Sequence, residues 1–269
     1  MDQRSDSVYC SFMVHVTNAP PARRPLAINL ANSPRAAQCD DCGARHAGLC
    51  DALSDEDLTF LARAAQRRTY QAGEQIMQEG DKAAFFYNVN NGHVRLSKSL
   101  PDGRRQITGF ASAGHFLGLA KSDKNVCSAE AMEPTTVCRF NRPSLMAVFE
   151  EFPALERKLL DVATHELVLA QEQMLLLGRK TAIERVATFL LAWAAREDLC
   201  PAGHLPKPNA ALHLPLSRTD LADYLGLTIE TVSRSLSQLK RDGFIDIPGI
   251  HGITLLKPQG LAHIAEAEL

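Results

Sequence analysis

The spacing of hydrophobic and polar positions changes along this chain, and each change predicts a different element. In LSDEDLTFLARAA, Ser54 stands at a helix N-cap position with Glu56 and Asp57 in the first turn. Leu58, Leu61 and Ala65 then share one helical face, so a helix is expected. From about Arg67 to Arg139 the pattern shortens to alternating or β-rich stretches punctuated by glycines. FFYNVNNGHVRLSKSLPDGRRQITGF reads as two strands joined by a PDG turn, in which proline presets φ and glycine accepts a positive one. Several such units predict a compact antiparallel β-barrel or jelly roll. The period then lengthens. In FPALERKLLDVATHELVLAQEQMLLLGRK, residues Leu160, Ala163, Leu167, Ala170, Met174 and Leu177 fall three or four apart, the seam of a coiled coil over about three heptads. Two such helices, one from each of two chains, would bury it, and a homodimer follows; the alternative is a helix lying on the barrel.

The last segment is the most specific. IERVATFLLAWAARE is an amphipathic helix, followed by the proline-rich loop DLCPAGHLPKPNA. Ser217 caps a short helix through Leu225, Gly226 makes a tight turn, and Thr228 caps a second helix to about Arg241. Gly243 stops that helix, and FIDIPGIHGITLL reads as a β-hairpin, giving a winged helix-turn-helix. At 100° per residue, Val232, Leu236 and Leu239 form a packing face, and Glu230, Ser233, Arg234, Ser237 and Arg241 gather opposite. Arg234 can donate twice to a guanine edge, Glu230 can accept from cytosine, and Ser233 can meet a base or a phosphate. With Ser217 and Thr228 these form the candidate DNA-binding set, and two copies on a two-fold axis would read a palindrome.

Charge adds a restriction. The net charge of -2 over 269 residues gives the bulk surface no pull on nucleic acid, and residues 216 to 257 balance five basic against five acidic side chains. Placement, not bulk charge, must carry DNA binding. With 45% hydrophobic residues the chain has a real core, yet no apolar run approaches the ~18 to 20 residues that span a bilayer, so no membrane partner and a cytoplasmic location are expected.

The chemistry is concentrated in QCDDCGARHAGLC, where Cys39, Cys42 and Cys50 follow C-x2-C-x7-C. In a reducing compartment such a group is more often metal-binding or catalytic than disulfide-bonded. Spacing alone leaves iron-sulfur and zinc equal, with His46 a further zinc ligand. A dithiol oxidoreductase centre at Cys39 and Cys42 is disfavoured, because such motifs open a helix in a βαβ unit and this one follows an irregular segment. No enzyme is expected.

Barrel, long helix and winged helix-turn-helix, in that order over about residues 54 to 257, resemble the CRP/FNR superfamily of bacterial transcription regulators, and ETVSR within LTIETVSRSLSQL resembles its FNR branch. The resemblance implies an α+β fold: residues 1–38 a flexible arm, 39–150 the cysteine arm and a cyclic-nucleotide-binding-like β-roll, 151–179 a dimerisation helix, and 180–269 the winged DNA-binding domain. It implies a [4Fe-4S] cluster, with zinc the alternative, on Cys39, Cys42, Cys50 and one barrel cysteine. Cys138 in PTTVCRF aligns with the family's fourth ligand and Cys127 is the weaker candidate. It further implies oxygen-responsive activation of anaerobic or microaerobic genes through a TTGAT-N4-ATCAA-like palindrome, with RNA polymerase as partner. Cyclic-nucleotide-binding relatives carry a glutamate and an arginine where GHFLGLAKSDKNVCSAEAMEP has Leu119 and Cys127, so no cyclic nucleotide is expected.

Overall fold

Period-two alternation in the first half builds two four-stranded antiparallel sheets. The strands are β1 Ala65–Tyr70, β2 Gln75–Met77, β3 Phe85–Asn91, β4 Val94–Ser99, β5 Arg105–Ala111, β6 Phe116–Leu117, β7 Ser128–Ala131 and β8 Thr135–Asn141. One sheet runs β1-β8-β3-β6 and the other β2-β7-β4-β5. Among the described residues no ladder joins the two, so the predicted barrel is a jelly-roll sandwich whose sheets do not close. This computed structural model describes residues 39, 42–119, 123–197, 199–200 and 204–266, and the segment 1–38, read above as a flexible arm, lies outside them.

The register of β3 and β8 decides what each face of the first sheet carries. Phe86 pairs with Phe140, Asn88 with Cys138, and Val89 with Val137. Tyr87, Val89, Val137 and Leu117 therefore point inward, packing with Met77, Val94 and Ala129 of the second sheet. Phe86 and Phe140 point the other way, under helices α1 Asp55–Ala64 and α2 Arg142–Glu151. Leu58, Leu61, Leu145 and Phe149 fill that outer core, together with Leu155 from the start of α3 Pro153–Arg179. The oxygen of Ser54 accepts from the Asp57 amide, the cap expected for α1.

Helices α2 and α3 are separate because Phe152, which precedes Pro153, leaves the helical region at φ -122° and ψ 79°. The long helix starts at Pro153, against the expected 151, and α2 leads into it directly from the strand that carries Cys138.

The described chain divides into two compact units, one ending at Gln171 and one beginning at Glu172. The second contains α4 Ala182–Arg196, β9 Ala210–His213, α5 Arg218–Leu225, α6 Ile229–Arg241, β10 Ile245–Asp246, β11 Gly252–Leu255 and α7 Pro258–Glu266. Helix α4 packs on α6 and α7. Trp193 is buried at its centre and donates Nε1–H to the His213 carbonyl at 2.9 Å. The stretch read as an open loop ends in β9, which pairs with β11 and makes the wing a three-stranded sheet, β10-β11-β9. No helix among the described residues is long and apolar enough to cross a membrane.

Candidate functional site

The cysteine loop lies on the outer face of the first sheet. Turn hydrogen bonds from the Cys42 amide to the Cys39 carbonyl and from Arg45 to Cys42 wind the segment back on itself. Ala44 and Leu49 anchor it with 0% and 1% exposure. Arg45 donates to the Cys50 carbonyl at 3.1 Å and to the Leu53 carbonyl at 3.4 Å, and pairs with Asp55, so one side chain clamps the loop to the start of α1. Close approach depends on Gly48, which sits at φ 61° and would place a Cβ 1.9 Å from the Gly114 carbonyl oxygen.

That docking brings the four sequence-predicted cysteines together. Asn90 Nδ2 donates to Cys42 Sγ at 2.9 Å and to Cys138 Sγ at 3.2 Å, and Asn88 Nδ2 faces Cys50 Sγ at 3.6 Å. Cys39, Cys50 and Cys138 all pack on the outer core, and Cys39, Cys138 and Asn90 line a cavity of about 540 Å³ with Arg67 and Arg68. Burial, and then the neighbouring Cys138, Cys42 and Cys39, push the Cys50 thiol up to about 12. Cys138 is also raised by burial, a shift that the Asn90 amide and the Arg67 charge oppose. Raised in this way, the Cys50 and Cys138 thiols favour the protonated form unless a cation compensates the charge. Among the described residues no three His, Cys, Asp or Glu side chains surround one point as ligands for a single ion.

Cys127 lies elsewhere, packed against the core between the sheets, with Glu79 and Lys98 as its charged neighbours. Sequence reasoning missed Asn88, Asn90 and Arg45. The available signal was FFYNVNN, where two asparagines occupy alternate positions of a strand whose exposure is 1% and 4% there. Both carry an Oδ1 with no hydrogen-bond partner, which marks a polar site inside an apolar layer. The loop also reaches the long helix: Lys158 pairs with Asp51 at 3.4 Å, and Leu155 and Leu159 pack on the same core as Cys39 and Cys50.

Of the predicted seam, Leu160, Leu167 and Met174 are 68%, 58% and 64% exposed in the single chain. Ala163 and Ala170 are exposed with them, and Leu177 is half-buried. A continuous apolar stripe of this length, facing water, is a surface built for a partner.

The helix-turn-helix matches its predicted local chemistry residue by residue. Ser217 Oγ accepts from the Asp220 amide while Asp220 returns to the Ser217 amide, closing a capping box. Gly226 is left-handed at φ 61°, ψ 40°, and the Thr228 hydroxyl accepts from the Thr231 amide. Val232, Leu236 and Leu239 are buried at 1% or less, while Glu230, Ser233, Arg234, Ser237 and Arg241 are all exposed. Its own backbone amide and then the Thr228 hydroxyl hold the Glu230 carboxyl below its ordinary range, with Arg234 adding to the effect, so a charged acceptor and a guanidinium stand side by side. The Ser217 hydroxyl thus caps α5 and the Thr228 hydroxyl caps α6.

Two family models match the chain, a cyclic nucleotide-binding domain over residues 67–152 and a Crp-like helix-turn-helix domain over 184–264. The nitrogen fixation regulation protein FixK of Bradyrhizobium diazoefficiens is 44% identical over 230 residues, 85% of this chain and 94% of that one. The chain belongs to the CRP/FNR family of transcription regulators. Within that family, the transcriptional activator protein FnrL of Cereibacter sphaeroides is 38% identical over 212 residues, 79% of this chain and 85% of its own length. The solved structure of FixK2 from Bradyrhizobium japonicum superposes with a TM-score of 0.68 at 41% identity, covering 76% of this chain and 99% of that one. As a CRP/FNR member the chain is a DNA-binding transcription regulator, a class that does not comprise enzymes, and α5 and α6 lie within its matched helix-turn-helix domain.

Proposed function

We propose that this regulator is an FNR-type, oxygen-responsive activator that holds a [4Fe-4S] cluster on Cys39, Cys42, Cys50 and Cys138 and binds a TTGAT-N4-ATCAA-like palindrome as a homodimer. The observation that supports this reading most directly is the approach of those four cysteines to one another beside a cavity, with the Asn90 and Asn88 amides directed at three of the sulfurs. Cys50 and Cys138, whose thiols burial raises, together with amide N–H groups directed at Cys42, Cys50 and Cys138, suit thiolate ligation of a cluster that would supply the compensating positive charge. Such a cluster supplies an oxygen-labile link among the four cysteines.

The chain's own residues turn that link into a switch. Arg45 and the buried Leu49 hold the loop against the sheet, and Asn90 and Asn88 offer hydrogen bonds to the sulfurs. Lys158, Leu155 and Leu159 join the same layer to the first turns of α3, whose exposed seam pairs with a second chain. A docked loop favours the helix geometry that pairs; a released loop removes that support. The seam contains no charge that opposes pairing, so some dimer persists without the cluster. We place the protein in the cytoplasm, with RNA polymerase as the partner of the DNA-bound dimer. Leu119 and Cys127 offer a cyclic nucleotide neither ribose acceptor nor phosphate cation.

The test is purification without air, then an absorption spectrum with iron, sulfide and zinc analysis before and after brief air exposure. About four irons per chain and a visible band that bleaches in air are expected. Stoichiometric zinc in a colourless, air-indifferent protein would refute the oxygen-sensing part and leave the DNA-binding assignment intact.

A further inference from the structure

The carbonyls at a helix C-terminus lack intrahelical partners and carry partial negative charge. In the unit beginning at Glu172, two helices end near each other: α3 at Arg179 and α5 at Leu225. One side chain serves both. Arg185, in the first turn of α4, donates Nη2–H to the Leu177 carbonyl and Nε–H to the Lys180 carbonyl, each at 2.9 Å. Its Nη1 donates to the Leu225 carbonyl at 2.8 Å and reaches that of Gly226 at 3.5 Å. Gln173, on α3, adds Nε2–H to the Tyr224 carbonyl at 2.9 Å.

We infer that Arg185 is a positioning residue for DNA recognition, locking the turn of the helix-turn-helix to the last turn of the dimerisation helix. Its planar fork of donors matches several carbonyls at fixed angles, which a lysine ammonium cannot do. The gripped turn is the one that orients the reading helix, since Gly226 sets the path from α5 into α6. A Cβ at Gly226 would lie 3.1 Å from Leu177 Cδ2 and 3.5 Å from Arg185 Nη1, so the final seam residue touches that turn directly. Any rotation of the end of α3 on pairing is therefore handed to α6 through Leu177, Gln173 and Arg185. Arg185 itself is half-buried and its donors are directed at protein carbonyls, which distinguishes it from a phosphate contact. This role is independent of what the cysteines hold.

The experiment uses full-length wild type, Arg185→Met, Arg185→Lys and the milder Gln173→Leu. The probe is a duplex that the wild type selects from a randomised pool, compared with a scrambled duplex by fluorescence anisotropy across a salt series. Stoichiometric titration gives the active fraction of each protein. Arg185→Met should weaken binding to the selected duplex on the order of tenfold. Binding to the scrambled duplex, the active fraction and the slope of log K against log salt should stay unchanged, with Arg185→Lys restoring part of the affinity and Gln173→Leu losing less. An unchanged affinity would overturn the inference. So would a salt slope lowered by about one, the mark of a lost phosphate contact, or a loss fully accounted for by a smaller active fraction.

Discussion

Replacing Gly48 by alanine should lift the cysteine loop off the sheet without unfolding either sheet. At φ 61° an L side chain costs about 1–2 kcal/mol in strain. The added Cβ would also sit 1.9 Å from the Gly114 carbonyl oxygen and 2.8 Å from its carbon, both backbone atoms. Gly114 cannot retreat, because its amide donates to the Val89 carbonyl at 2.9 Å and the Val89 amide donates in return to the His115 carbonyl at 3.0 Å. The loop must therefore move, withdrawing Leu49, whose full burial contributes about 2 kcal/mol. Together these weaken the docked state by about 3 kcal/mol, roughly a hundredfold in its ratio to the open one. The assay is the rate at which an aromatic disulfide reagent modifies metal-free, reduced protein at neutral pH. Cys50 and Cys138 are expected in the slow phase of the wild type beside Cys127 of the other core, and their part of that phase follows the open population. It should quicken about a hundredfold in Gly48→Ala. Gly103→Ala is the control, since its φ of 87° carries similar strain but nothing lies within 4 Å of the new Cβ, and its slow phase should keep the wild-type rate. Slow-phase kinetics in Gly48→Ala equal to the wild type would refute the claim that loop docking shields the sulfurs.

Three further outcomes are expected. Leu167→Lys places a charge in the middle of the exposed seam and should shift sedimentation of the cluster-loaded protein from dimer to monomer while the thermal transition stays within about 1 °C. Arg234→Ala should cost about 1–3 kcal/mol on the preferred duplex and relax selection at one base pair per half-site, read by competition with single-base variants. Asn90→Leu removes the amide donor shared by Cys42 and Cys138 together with its partnerless Oδ1, so it should raise the melting temperature of metal-free protein but speed iron loss in air; the two readouts moving together would count against a sulfur-directed amide.

The sequence by itself determined much of what depends on neighbours within a turn or two. The caps Ser54, Ser217 and Thr228, the left-handed Gly226, the buried face of α6 and the three-and-four spacing of the α3 stripe were all legible, because caps and helical faces are local geometry. The strands were legible as a class, but their closure was not, since pairing between distant segments decides whether a sheet meets its own edge. The short strand β9 escaped because four residues hold too little pattern, and its partner β11 lies some forty positions on. Tertiary structure alone put Cys138 beside Cys42 and Cys127 in the other core: side-chain direction in a strand flips with each residue, so register assigns the face. It also decided the parts played by Asn90 and Arg185. Their partners are sulfurs and carbonyls brought near only by packing, and no spacing along the chain encodes a hydrogen bond to an atom forty residues away.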